Sequence, residues 1–185
     1  NIVALYPFQK VNKQIEIIKD EDITSYLEKI DNFSLKEYSN DQLLLHYIEA
    51  EVYYNFKDSP IRLLNLKVTQ YDEKGQETYI VKSNQAKIHD SGEIIFSGEV
   101  DILSKGIYHE IETESLVMDS NTKQISSNKD VIYSGENAII FAQGMHINNA
   151  DDTMQLEGDI LIEQQSGPII NTKDLNINLV DGEKR

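Results

Sequence analysis

A strand, turn, strand unit that recurs about every 30 residues leaves this chain few folds to choose from. The clearest copy runs from Ser83 to Ile102: Ala86 and Ile88 alternate with polar neighbours, Asp90-Ser91-Gly92 turns the chain, and Ile94 and Phe96 resume the alternation before Gly98, Val100 and Ile102. A period of two residues is that of a strand with one buried face. The signature returns at Thr113 to Asp119 leading to Asp130 to Tyr133, and again at Gly144 to Ile147 leading to Leu156 to Ile162. A last half copy starts at Thr172 and runs to Ile177, so that Ala86, Leu116, Met145 and Leu175 occupy equivalent places. One such unit cannot bury its own apolar face, so neighbouring units must stack.

The pattern reaches back toward the N-terminus. From Asp31, Phe33 and Leu35 alternate, Ser39-Asn40-Asp41 turns, and a strand follows through Leu44, His46, Ile48, Ala50, Val52 and Tyr54. Lys57 to Pro60 leads to Leu64, Leu66 and Val68, and the loop from Tyr71 to Gln76 carries Gly75 for a positive φ before Tyr79 and Val81. Breaks every 8 to 15 residues or about that predict a meander of short antiparallel strands. Residues 1–30 lack this rhythm and read as a solvated lead-in with one short helix; residues 31–180 form the β-domain, and residues 181–185 a frayed polar tail. The expected class is all-β, either two facing sheets or a wide solenoid.

A net charge of -15 argues against nucleic acid or an anionic lipid surface as a broad electrostatic partner, because both need clustered Lys and Arg. The chain has no Cys, so it can form neither a disulfide nor a thiolate metal site. It has no run of about 18 apolar residues to cross a membrane. It begins at Asn1 without an initiating Met, which suggests a processed product with a targeting segment upstream.

The inward positions are Phe33, Leu35, Ile48, Ala50, Val52, Leu64, Leu66, Ala86, Ile88, Ile94, Phe96, Val100 and Ile102 in the first part of the chain. Leu116, Met118, Val131, Tyr133, Phe141, Met145, Ile147, Met154, Leu156, Ile160, Ile162, Leu175 and Ile177 continue them. They could fill a sandwich, or line a groove where two sheets part; periodicity alone does not distinguish these. His46, His89, His109 and His146 never fall at the spacing that sets two metal ligands on one face, and they read as edge or solvated residues, so no metal is expected. Glu112 and Glu114 share a face, yet such charge runs are usually solvated. No phosphate loop or nucleophile elbow is present, and the expectation is a protein without cofactor or catalytic residues. Gly98, Gly144 and Gly158 are expected at bulges or tight bends within strands.

Taken in order, Asn32 to Tyr38, Ala50 to Tyr54, Leu66 to Gly75, Val81 to Ile88 and Phe96 to Val100 resemble the LptC family, the membrane-anchored periplasmic component of lipopolysaccharide export. The resemblance covers about residues 31 to 180. It implies an open, twisted β-jellyroll of two facing antiparallel sheets, of the type shared with LptA, and an inner-membrane helix upstream of Asn1. It also implies a lipopolysaccharide groove, for which the inward set offers Phe33, Leu35, Ile48, Ala50, Leu64, Ala86, Ile88, Phe96, Val100, Met118, Tyr133, Phe141, Met145, Leu175 and Ile177. By the same analogy, the edge with Phe33, Leu35 and Tyr38 faces an LptBFG-like ABC transporter, and the edge with Leu175, Ile177 and Leu179 receives an LptA-like bridge. Gly135 and Gly144 match glycine positions of the family, whereas the acidic lead-in and Lys129-Asp130 depart from its pattern. The competing readings are a soluble LptA-like bridge, a β-repeat scaffold without cargo, and a polysaccharide-active enzyme, the last lacking an inward cluster of carboxylates.

Overall fold

The computed structural model describes residues 26–105, 109–119, 122, 124–148 and 153–178. The short helix expected in the lead-in, and the tail at 181–185, fall outside the described residues. Where the alternation is strongest the strands are long: β1 (Glu28–Tyr38), β2 (Leu44–Asn55), β3 (Ile61–Tyr71), β4 (Glu77–Ile88), β5 (Glu93–Ser104) and β6 (His109–Asp119). Four short pieces follow, β7 (Gln124–Ser127), β8 (Val131–Gly135), β9 (Ala138–Ala142) and β10 (Gly144–Asn148), and then β11 (Thr153–Gln164) and β12 (Ile170–Asn178). The first strand thus begins at Glu28, inside the stretch read as lead-in.

All pairings are antiparallel and join the strands into one continuous sheet. β6 pairs with β7 through its C-terminal end and with β8 through its N-terminal end. β11 likewise pairs with two strands, β10 through its N-terminal end and β9 through its C-terminal end. β7 with β8, and β9 with β10, therefore act as two strands each broken in the middle, and the whole is a simple meander.

The break at mid-strand is general. Asn32 in β1, Asn65 in β3, Gly98 and Glu99 in β5, Gly158 in β11 and Asp174 in β12 all have positive φ, between 49° and 83°. The register slips by one residue beside Gly98 and beside Gly158. Bulges of this kind bend a strand and sharpen its twist, and stacked side by side they make a crease across the sheet. The expected two facing layers are the two halves of this creased sheet. One half holds the N-terminal parts of β5 and β11 and the C-terminal parts of β4 and β6; the other holds the remainder of the same strands.

At the crease the ladder is interrupted, and buried backbone groups need other partners. Ser83 Oγ donates to the Gln85 carbonyl (3.0 Å), and Ser115 Oγ to the Phe96 carbonyl (3.1 Å). Thr113 Oγ1 donates to the Asp130 carbonyl (2.9 Å) and lies 3.0 Å from Ser127 Oγ. Asp174 Oδ1 accepts from the Gly158 amide and Gln143 Oε1 from the Asp159 amide, both at 3.0 Å. Ser83, Thr113 and Ser127 are buried at this line for that reason.

Each half is held by rows of apolar side chains running across the strands. Leu63, Ala86, Phe96 and Leu116 are successive cross-strand partners, and Met145, Leu156 and Leu175 continue the line. The residues that mark the 30-residue repeat thus lie in one row, every second strand. In the other half the row runs Ile48, Val68, Val81, Ile102, Ile111, Tyr133 and Ile140. Leu116, Met145 and Leu156 are almost wholly buried, each worth about 1.5–3 kcal/mol relative to exposure.

The crease also changes which residues face inward. Leu64, expected inward, points the other way because the left-handed Asn65 shifts the alternation, and Leu63 and Leu66 join the core on either side of it. Val52, the cross-strand partner of Leu64, is displaced with it, and Tyr53 packs on the core instead. Phe141 likewise faces out between the core residues Ile140 and Ala142, because the sheet breaks at Gln143.

A Cβ at Gly158 would run into the Gln143 side chain, and its φ of 83° is left-handed. Gly158→Val is expected to lower stability by about 3 kcal/mol in urea denaturation, more than the about 1–2 kcal/mol of backbone strain expected alone. Gly75→Ala serves as the comparison, since it has φ of 75° but open space around it, and only the strain should show.

Candidate functional site

The concave side of the creased sheet is not filled along its whole length. A cavity of about 290 Å³ lies between the halves, near the lower end of ligand pockets of about 300–1,000 Å³. From the first half it is lined by Leu63, Ala86, Ile88, Ile94, Phe96, Leu116, Met118, Ile125 and Ile147, and from the second by Ile48, Leu66, Val68, Val81, Ile102 and Ile111. Five polar residues, Glu37, His46, Gln70, Tyr79 and His109, complete the lining. The cavity extends from Glu37 at the end of β1 to β7 and β10; toward β11 and β12 the space is occupied by Met145, Met154, Leu156 and Ile160.

Of the residues expected to line a groove, Ile48, Ala86, Ile88, Phe96 and Met118 border this cavity together. Ala50, Val100 and Met145 are buried in the core beside it, and Tyr133, Leu175 and Ile177 pack half-buried against that core. Phe33 stacks on Tyr53 at 4.9 Å near the edge of the sheet. Leu35 is 49% and Tyr38 54% exposed. Leu64 and Phe141 face away, as described above. Gly98 and Gly158 sit at the crease; Gly135 packs against the Tyr133 ring and Gly144 against the Ser127 carbonyl. Leu179 is outside the described residues.

Sequence reasoning missed Leu63, Ile111, Ile125 and His109. Ile125 lies in a four-residue strand, too short to display a period. His109, read as an edge residue, is 6% exposed and stands between the rings of Tyr79 (6.0 Å) and Tyr133 (5.8 Å). Its alternation with Ile111 and Thr113 was the available signal. Among the described residues no group of three or more His, Asp and Glu is placed to hold a metal. Glu37, His46, Tyr79 and His109 are the titratable residues lining the cavity; His46 Nδ1 lies 2.9 Å from Glu37 Oε2, a partly exposed contact worth about 0–1 kcal/mol, and behind His109 the Tyr133 hydroxyl is pushed above its ordinary value by burial.

Among the described residues the sheet has two free edges. β1 pairs only with β2, and β12 only with β11, among the described residues. Leu35 and Tyr38 lie on the first edge strand, Ile170, Leu175 and Ile177 on the second.

A family profile described as "Lipopolysaccharide-assembly, LptC-related" matches residues 2–163. The chain belongs to the LptC family. No curated protein matches it. The match runs through the cavity-bearing strands and ends inside β11. LptC proteins take part in lipopolysaccharide transport and outer-membrane biogenesis as periplasmic components anchored in the inner membrane, acting with the other parts of the Lpt system. The family is a transport component. Among the described residues of this LptC chain, no helix is long and apolar enough to cross a membrane.

Because the folded state holds the Tyr133 proton more tightly than the unfolded chain does, this residue's contribution is intact below pH 10 or thereabouts and is lost as pH rises through its raised value. Tyr133→Phe should therefore decline less steeply in alkaline thermal denaturation than the parent. An unchanged decline would mean that the hydroxyl is solvated.

Proposed function

We propose that this protein is a lipopolysaccharide carrier: it takes the lipid from the inner-membrane ABC transporter, shelters acyl chain in the cavity between the sheet halves, and passes it to a periplasmic bridge. The observation that carries this reading is the apolar cavity itself, bordered by Ile88, Ile94 and Met118 on one side and Ile48, Val68 and Val81 on the other. A filled scaffold has no use for such a space.

The energetics set the mode of transfer. Each buried methylene is worth about 0.8 kcal/mol, so a chain of about a dozen carbons would lose on the order of 10 kcal/mol on entering water. Release into solution is too costly, and cargo must pass directly to an abutting groove. The free edges suit this, because an added strand extends the sheet through backbone hydrogen bonds and continues the concave face without a gap. On this reading β1, with Phe33, Leu35 and Tyr38, meets the LptBFG-like transporter, and β12, with Leu175 and Ile177, meets the LptA-like bridge. The filled C-terminal end implies that Met145 and Met154 move aside during passage, which their unbranched side chains allow.

A photo-crosslinking amino acid at Ile88, which borders the cavity, is compared with one at its outward neighbour Lys87 in the presence of purified lipopolysaccharide. Ile88 suits this better than Ala86, which is fully buried and would not accept a bulky probe. Crosslinking at Ile88 alone is the expected outcome; equal crosslinking at both, or none in folded protein, would leave a scaffold as the better reading. For the edges, Leu35→Lys should weaken binding to the transporter by about tenfold, and Ile170→Lys binding to the bridge by about as much, each without shifting the melting temperature. Loss of both interactions from either variant would contradict the assignment of one partner to each edge.

A further inference from the structure

The two lips of the cavity differ chemically. Along the strand ends of one half, Ile88, Ile94, Met118, Ile125 and Ile147 are successive cross-strand partners and all border the cavity. Along the strand ends of the other half, Glu37, His46, Gln70 and Tyr79 are successive partners, and His109 borders the cavity on the same side, its ring tilted against that of Tyr79. An apolar lip thus faces a polar one across the same opening.

The polar lip has a particular character. It offers amide, imidazole and phenol groups, each able to donate and accept, together with one carboxylate. No Lys or Arg is among the residues lining the cavity, and the His46 ring is engaged with Glu37. A phosphate would meet a carboxylate and no fixed cation. Hydroxyl and amide groups of a sugar, or of the acyl linkages attached to it, would find complementary partners. Tyr79, which is only partly buried, also supplies ring surface of the kind on which the apolar face of a sugar can rest, with His109 packed behind it.

The geometry points to a polar lip, built from His46, Gln70, Tyr79 and His109, that binds the uncharged sugar and acyl-linkage groups of the lipid and so orients it, acyl chain toward the isoleucine lip. This inference rests on the carrier reading above and adds to it the part of the ligand that is recognised and the direction in which it lies.

The test compares three ligands that share a twelve-carbon chain: dodecyl maltoside, dodecyl phosphate and dodecanol. Each is used below its micelle concentration, at neutral pH, to displace the apolar dye N-phenylnaphthylamine from the protein. The maltoside is expected to bind most tightly, and Gln70→Leu or His46→Leu should each reduce its advantage over dodecanol by about fivefold, the equivalent of one hydrogen bond, while dodecanol affinity is unchanged. Both positions are at least partly exposed, and unchanged melting temperatures would show that the variants fold. Tightest binding of the phosphate, no advantage of the maltoside over dodecanol, or an advantage that both variants retain would overturn the polar lip while leaving the groove intact. Failure of all three ligands to displace the dye, or of the dye to bind, would overturn the groove reading and the lip with it.

Discussion

The structure depends on how each strand crosses the middle of the sheet without leaving backbone groups unpaired. A flat meander of strands this long would expose one apolar face along its whole extent. Breaking every strand at the same level lets the sheet fold toward itself and cover that face, but the break costs ladder hydrogen bonds in a buried place. Two devices carry the chain across it. Some strands place a residue in the left-handed region, as at Asn65, Gly98 and Gly158. Others bury a hydroxyl that bonds to nearby carbonyls, as at Ser83 and Thr113. The apolar rows on either side then close over one another, and the energy of their burial holds the crease shut.

Why the closure is incomplete follows from side-chain size along the rows. Near β11 and β12 the two halves are joined by Met145, Met154 and Leu156, which fill the interior. Between β2 and β7 the same rows include the small Ala86 and residues that lie along the lips rather than projecting across, and the cavity remains. The binding reading therefore comes from an absence of bulk between apolar walls. Its polar fringe comes from the strand ends, where side chains stand close to the opening and hydrogen-bonding groups can be kept at little cost in desolvation.

Much of this was legible in the sequence, and the failures have a common cause. The two-residue period identified the strands and most inward positions within each half-strand: Ile48 with Ala50, Ala86 with Ile88, Ile94 with Phe96. The family resemblance rested on the same segments, and the family match bears it out. What periodicity could not show was the change of face at the crease, because a single Asn in the left-handed region looks like any polar residue on a strand. Leu64, Val52 and Phe141 were misplaced for that reason. The buried hydroxyls of Ser83, Thr113 and Ser127 were invisible for a related one: a residue that satisfies a broken ladder has the composition of a surface residue. His109 was misread by the same logic. The cavity itself leaves no trace in a one-dimensional pattern, since a filled interior and an open one need the same alternation.

The row that joins Ala86, Leu116, Met145 and Leu175 at every second strand has a consequence for how such a protein could change in length. Inserting a single strand into an antiparallel meander would reverse the direction of one terminal strand and present its partner with the opposite backbone polarity. Inserting a pair preserves both ends, keeps the crease devices in phase, and adds about 9.6 Å to the sheet, two strand spacings. A hairpin is therefore the natural increment of growth, and molecules of different reach could arise by duplicating it without redesigning either terminus.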